Sequence, residues 1–131
     1  MGIPKLNIVE IRDEKFEIAE TTIRPFEVSH YLTTVLGFRF GDFTYITDAN
    51  EINEKAAKVI EGSKVLVINA LRKEQHPSHF TFDQALAEIT RFSPEKAYIT
   101  HLSHRMGLHD EVSKELPENV YLAFDGLKIS I

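Results

Sequence analysis

Three residues able to bind a metal stand at the same kind of place in this chain. His30 follows the run containing Phe26 and Val28, Asp48 follows Tyr45-Ile46-Thr47, and His101 follows Tyr98-Ile99-Thr100. Each run reads as a strand, so each polar residue falls at a strand's carboxyl end. Ligand sites in α/β sheets gather there, because strand ends are rigid while the loops beyond them vary. Imidazole nitrogens with a carboxylate make a donor set suited to zinc, iron or manganese. The carboxylate adds a second property, since its two oxygens can bridge two cations. Taken singly, each residue is better described as a satisfied polar group closing a strand. For the three together, that description and a ligand set weigh evenly.

Two histidine pairs have a spacing of three: His76 and His79 in His-Pro-Ser-His, and His101 and His104 in His-Leu-Ser-His. Neither reads as a zinc clamp. Pro77 prevents a regular helix through the first pair, and the second follows directly on a strand. His79 immediately precedes the helix start at Phe80-Thr81, where an imidazole is a candidate proton donor. His76 reads as a loop residue in a solvated connection. Arg105, next to His104, is a candidate contact for an anionic substrate, although a surface arginine describes it as well. His109 lies at a helix start and is given no role.

The elements that must position these residues change character along the chain. The first third reads as β: Leu6, Ile8 and Ile11 in one segment, Phe16 and Ile18 in another, then Ile23, Phe26, Val28 and His30. Pro25 interrupts that last run and suggests an edge strand or a bulge. Gly41-Asp42, between Val35–Phe40 and Phe43–Thr47, is a type II′ hairpin signal. The middle alternates helix and strand. Asn53 to Glu61 is a short helix with Gly62 as its C′ residue. Lys64 to Ala70 is an apolar run typical of a strand covered on both faces. Thr81 and Gln84 form a capping box, followed by Phe82, Ala85, Leu86 and Ile89 at helical spacing, with Pro94 beyond the end. Ala97 to Thr100 is a strand and Leu108 to Leu116 a helix. Val120 to Phe124 and Leu127 to Ile131 are strands joined by a type I′ signal, Asp125-Gly126. Together these give a mixed α+β or α/β architecture, a mixed β-sheet with helices on one face.

Composition narrows the classes. The chain has 131 residues, 43% hydrophobic and 27% charged, which suits a single domain over residues 1–131 with its own core. The longest apolar stretch, Val65 to Ile68, is far too short to cross a membrane. The start, Met1-Gly2-Ile3-Pro4, lacks the apolar run of a signal peptide. No cysteine is present, so thiolate ligands and disulfides are excluded, and a cytoplasmic location is expected. A net charge of −5 without a basic run argues against a dedicated nucleic-acid grip.

Tyr45-Ile46-Thr47-Asp48 and Tyr98-Ile99-Thr100-His101-Leu102-Ser103-His104, with His79 between them, resemble the metallo-β-lactamase superfamily. The nearest likeness is to its cyclic-phosphodiesterase branch, which includes the phosphoribosyl cyclic phosphate phosphodiesterases; the tRNA 3′-processing ribonucleases are more distant. The likeness runs from about Pro4 to the end and includes Val28-Ser29-His30, Leu36-Gly37-Phe38-Arg39 and Ala123-Phe124-Asp125-Gly126-Leu127. It implies that His30 is a ligand of a first metal, Asp48 bridges two metals, and His101 is a ligand of the second. It implies that His79 is a general acid at the scissile phosphate. His104 and Arg105 are candidate substrate contacts. The implied cofactors are two divalent ions, zinc or manganese, whose bridging hydroxide attacks phosphorus.

One departure shapes the functional expectation. The family's His-x-His-x-Asp-His motif is absent, and no two histidines here are separated by two positions. The family fold is an αββα sandwich of two similar halves, and this chain resembles the C-terminal half. It is therefore expected to be a fragment of a metal-dependent phosphodiesterase, inactive alone, with an incomplete site and with the N-terminal half as its missing partner. The alternative is a stand-alone half-fold acting as a binding or oligomerisation module. Either way a homo-oligomer is expected, because the sheet face that the other half would cover is left open; Ile8, Phe26, Val28, Val65, Val67 and Tyr98 are candidates for that face or for the one under the helices.

Overall fold

A computed structural model describes residues 4–12 and 14–131. Met1 to Ile3, part of the start just considered, lie outside them. The strands are β1 (Phe16–Ile18), β2 (Thr21–His30), β3 (Thr33–Phe40), β4 (Phe43–Tyr45), β5 (Val65–Asn69), β6 (Lys96–Thr100) and β7 (Val120–Leu122). They lie side by side in sequence order in one sheet. The first four pair antiparallel through hairpins. The last four pair parallel. Helices α1 (Glu54–Ile60), α2 (Phe82–Phe92) and α3 (His109–Val112) make the three parallel crossovers.

Alternation along the strands sorts two faces. Phe26, Val28, Leu66, Ile68, Ala97, Ile99, Val120 and Leu122 form one buried core with Ala56, Ala57, Val59 and Ile60 of α1, Phe82, Ala85 and Ile89 of α2, and Val112 of α3. All three helices therefore cover the same face, as expected. Of the candidates for the two sheet faces, Phe26 and Val28 lie under the helices. Val65, Val67 and Tyr98 alternate with core residues and face the other way. There Phe40 stacks on Phe43 and Tyr98 on Tyr121, and Tyr45 and Tyr121 stay exposed.

Local signals explain most element ends. Asn53 caps α1 by accepting from Ala56 N–H, and Gly62 takes a positive φ just past the end. Thr81 and Gln84 form the expected capping box on α2. Gly41 has φ +59° while Asp42 is not left-handed, the type II′ pattern joining β3 to β4. Pro25 pairs with Phe38 of β3, whereas β1 reaches only Thr21 to Ile23. The proline thus lies where β2 is an edge and needs no second ladder. Arg39, pointing to the helical face, donates to the carbonyls of Val59 and Glu61 and closes the C-terminus of α1.

Four expectations are corrected. The Leu6 to Ile11 segment forms no strand; Leu6, Ile8 and Val9 are exposed, because no described strand outside β1 offers them a ladder. Leu127 to Ile131 is not a strand either. Its turn closes by Leu127 N–H to Phe124 O, with positive φ at Gly126 but not Asp125. That is the type II sign pattern, whose twist does not return a chain onto its own strand. The Leu108 to Leu116 helix is four α residues followed by a 3-10 turn, Ser113–Glu115. β4 is shorter than the Phe43–Thr47 run, although Ile46 N–H still reaches Val67 O.

Gly37 is needed for its missing side chain. It sits opposite Phe26 on β2, and a Cβ there would lie 2.5 Å from Phe26 Cζ. Gly37→Ala should displace the buried ring and cost about 1–3 kcal/mol, the range for overpacking. Urea unfolding checks this; unchanged stability would show that the ring moves freely.

Candidate metal centre

The topology explains how residues far apart in sequence meet. β2 runs antiparallel to β3, and β3 antiparallel to β4, so β2 points the same way as β4 to β7. The carboxyl ends of β2, β4, β5 and β6 thus share one edge of the sheet. His30 ends β2, Asp48 lies three residues past β4, and His101 follows β6. His79 comes from the long β5–α2 connection that folds back over the same edge.

The convergence is close. Asp48 Oδ1 lies 3.2 Å from His101 Nε2 and 3.6 Å from His79 Nε2. One donor atom from each of Asp48, His79 and His101 falls within 4.8 Å of the others. The His79 ring stacks on His101 with centroids 4.9 Å apart, and the His30 ring meets His79 edge-on at 4.9 Å. His30 and His101 are therefore at the same end of the sheet. His104 and Arg105 lie in the exposed turn beyond, with the Arg105 guanidinium 3.9 Å from Glu74. A cleft of about 340 Å³ lined by Thr100, His101, Leu102, Ala123, Phe124 and Asp125 opens beside His101.

Two backbone features mark this edge. Asp48 and His101 both adopt left-handed conformations, φ 60° and 61°. Such backbone is costly for residues with a Cβ and gathers at functional sites. Buried hydrogen bonds hold the loops against that cost. The Asn69 side chain, fully buried at the end of β5, accepts from Ala49 N–H at 2.9 Å and donates to Ala49 O at 2.9 Å. Ala49 O also accepts from Phe80 N–H at 2.8 Å. Ala49 thereby ties Asp48 on one side to His79 on the other. Asn50 donates its N–H to Ser29 O, and its side chain accepts from Tyr31 N–H, joining the same loop to the end of β2.

Sequence reasoning did not single out Asn69 or Asn50. The available signal was an amide ending an otherwise apolar buried strand. The solvated-loop reading of His76 is also corrected. His76 is partly buried, its Nδ1 3.1 Å from His79 Nδ1, and Ser78 Oγ lies 2.9 Å from the same His79 atom. Burial first, then the imidazoles of His101, His30 and His76, hold the His79 pKa below the ordinary histidine value; Asp48 acts in the opposite sense. Neutral imidazoles and a carboxylate are the forms that bind a divalent cation, so the donor set fits one.

Residues 2–102 match the model of the β-lactamase superfamily domain. The chain belongs to the metallo-β-lactamase superfamily. Within it, the fold superposes on a diphosphatase from the PhnP family with a TM-score of 0.89 and 32% identity, over 92% of this chain and 47% of that one. The metallo-β-lactamase fold protein YhfI from Bacillus subtilis matches with a TM-score of 0.75 and 20% identity, over 92% of this chain and 54% of that one. A curated relative, an octanoyltransferase of Porphyromonas gingivalis (strain ATCC BAA-308 / W83), is 32% identical over 132 residues, covering 99% of this chain and 27% of that protein. The chain thus spans about a quarter to a half of the relatives it matches, and its likeness is to the PhnP-like branch of metal-dependent hydrolases. None of the helices among the described residues is long and apolar enough to cross a membrane.

Proposed function

We propose that this chain forms one side of the active site of a metal-dependent phosphodiesterase, inactive alone, whose remaining metal ligands come from a protein segment outside it. The observation that carries this reading is the convergence of Asp48, His79 and His101 within 4.8 Å, on a backbone that follows a PhnP-family diphosphatase at 32% identity. That relative's name points to phosphorus as the centre attacked. The octanoyltransferase is covered over only 27% of its length, so its acyl transfer is not carried over.

His30, Asp48 and His101 would hold the divalent ions, zinc or manganese. Such ions, when bound, lower the pKa of water and polarise phosphoryl oxygens. The chain's own residues supply the positioning. Asp48 is the donor placed between the others, fixed through Ala49 by the Asn69 amide. His79 presents Nε2 to the same space while its Nδ1 is engaged by His76 and Ser78, so Nε2 is the atom that would deliver a proton to the leaving oxygen. His104 and Arg105 lie at the exposed rim, where an anionic substrate would arrive.

His79→Ala in the protein with its full ligand set should lower turnover by ~10²–10⁴-fold on a substrate with a poor leaving group, with metal content unchanged. Unchanged turnover, or loss of metal, would remove the assigned role. A second reading, a self-associating non-catalytic half-fold, draws on the aromatic face opposite the helices, where Tyr45 and Tyr121 are exposed. Phosphodiester turnover by the completed protein separates the two.

A further inference from the structure

A second cleft lies toward the opposite end of the sheet. It offers about 290 Å³ between the start of β2, the end of β3 and the last turn of α1, and Lys15, Thr22, Arg24, Arg39, Gly41 and Lys58 line it. Arg24 precedes His30 by six residues on β2, which puts the cleft about 20 Å from the metal centre at ~3.3 Å per residue. Among the described residues no carboxylate lines it. Strand register gathers the cations. Arg24 of β2 stands directly opposite Arg39 of β3, and Lys15 lies one step beyond the Phe16–Ile23 pair, on the other side of Arg24. Like charges directly opposite one another in a sheet are destabilising. The fold has a use for Arg39. Its Nε donates to Gly41 O at 2.9 Å and its Nη1 to the carbonyls of Val59 and Glu61, leaving Nη2 for another acceptor. It has no such use for the rest. The side chains of Lys15, Arg24 and Lys58 make no hydrogen bond or ion pair with the described residues. Asp42, the carboxylate that feels the charge of Arg39, is engaged by Lys64 at 2.8 Å.

We propose that this cleft binds a short oligophosphate, a diphosphate or triphosphate, at a site separate from the metal centre and independent of the metal-dependent reading. A guanidinium pairs with phosphate oxygens through two parallel N–H groups, and a lysine meets them as a point charge. Neighbouring strands lie about 4.8 Å apart, so Lys15, Arg24 and Arg39 form a row about 10 Å long, which Lys58 joins from α1. A single phosphate group carries about −1.5 to −2 at neutral pH, too little to balance four cations. Linked phosphates match both the charge and the length of the row. Arg39, held by three carbonyls, is fixed before the anion arrives, so less side-chain freedom is lost on binding. The remaining lining is Thr22, Gly41 and Val59, with no aromatic ring to stack a base. The phosphates are therefore the part recognised, and a nucleoside adds nothing. A long polyanion such as nucleic acid is disfavoured, because a chain with a net charge of −5 repels whatever extends past the cleft.

The test is a calorimetric titration of sodium triphosphate into the metal-free 131-residue protein at low salt, where exposed charges are little screened. Removing metal keeps phosphates from being drawn to the other edge of the sheet. One triphosphate per chain is expected, with orthophosphate clearly weaker and adenosine triphosphate no tighter. Arg24→Gln should weaken triphosphate by ~10–100-fold, the range for losing a hydrogen bond between charged groups. Lys128→Gln, which removes the same charge from an exposed position elsewhere, should leave it unchanged. Without anion, Arg24→Gln should be at least as stable as the wild-type chain, because it relieves the repulsion with Arg39, and it should lose the rise in Tm that triphosphate gives the wild type. Nitrogen–proton correlation spectra of the wild-type chain give a readout free of any variant: the amides of Thr22, Arg24, Gly41 and Lys58 should shift with triphosphate, and those of His30 and His101 should not. No saturable binding, equal losses in Arg24→Gln and Lys128→Gln, loss with Arg105→Gln in place of Arg24→Gln, or tighter binding of adenosine triphosphate or a DNA strand than of triphosphate would each overturn the proposal. A failed phosphodiesterase assay leaves this result standing, and absence of triphosphate binding leaves the metal-dependent reading standing.

Discussion

Asp48→Gly is expected to abolish divalent-metal binding, and with it hydrolysis by the completed protein, while leaving the metal-free fold as stable as before or more so. The two effects have separate origins in one residue. The carboxylate lies 3.2 Å from His101 and is the proposed ligand shared between the ions, so its removal leaves His30 and His101 without a common donor. The backbone at Asp48 is left-handed, φ 60°. Any side chain strains that conformation and glycine does not, so glycine should return up to about 1 kcal/mol. Asp48→Ala is the informative companion, because it deletes the same ligand and keeps the strain. Zinc content by atomic emission and urea unfolding of chelator-treated proteins check both halves. A glycine variant that keeps its metal, or one less stable than the alanine variant, would contradict the argument.

Asn69→Leu should damage both the fold and the site although it touches none of the proposed ligands. Leucine has nearly the same size and suits a buried strand end, so packing alone predicts little harm. The amide, however, bonds both the N–H and the C=O of Ala49. Leucine leaves that N–H buried without a partner and strips one of two donors from the carbonyl, which Phe80 N–H still satisfies. An unsatisfied buried group costs about 1–3 kcal/mol, so a loss of about 3 kcal/mol is expected with the lost hydrogen bonds. For a domain of this size that lowers Tm by on the order of 10 °C. Zinc affinity should fall as well, because Ala49 fixes Asp48 and connects to Phe80, next to His79. Asn69→Asp should not rescue, since it sets a carboxylate oxygen against Ala49 O. Thermal unfolding with a parallel zinc titration checks this. An Asn69→Leu protein with native Tm and native zinc affinity would show that Ala49 finds other partners.

Much of this could be read from the order of residues alone, and for a local reason. Capping by Asn53 and Thr81, the Gly41 turn, the apolar run of β5 and the helical spacing in α2 are interactions between residues a few positions apart, and each appears where expected. The position of His30, Asp48 and His101 beyond strand ends was legible on the same terms, as was the family likeness carried by short motifs. The misread segments, Leu6 to Ile11 and Leu127 to Ile131, show the limit of that reasoning. Alternation announces a strand only where a neighbouring strand supplies a ladder, and neighbours are not written locally.

Bringing the site together belonged to the tertiary structure. Strand ends converge only if β2, β4, β5 and β6 run the same way side by side, which depends on pairings up to dozens of residues apart. The left-handed backbone at Asp48 and His101, the Asn69 bridge to Ala49 and the contact of His76 with His79 likewise exist only once those ends meet. Residue types select the chemistry that donors can perform. Distances of 3.2 and 3.6 Å between those donors are set by the packing that surrounds them.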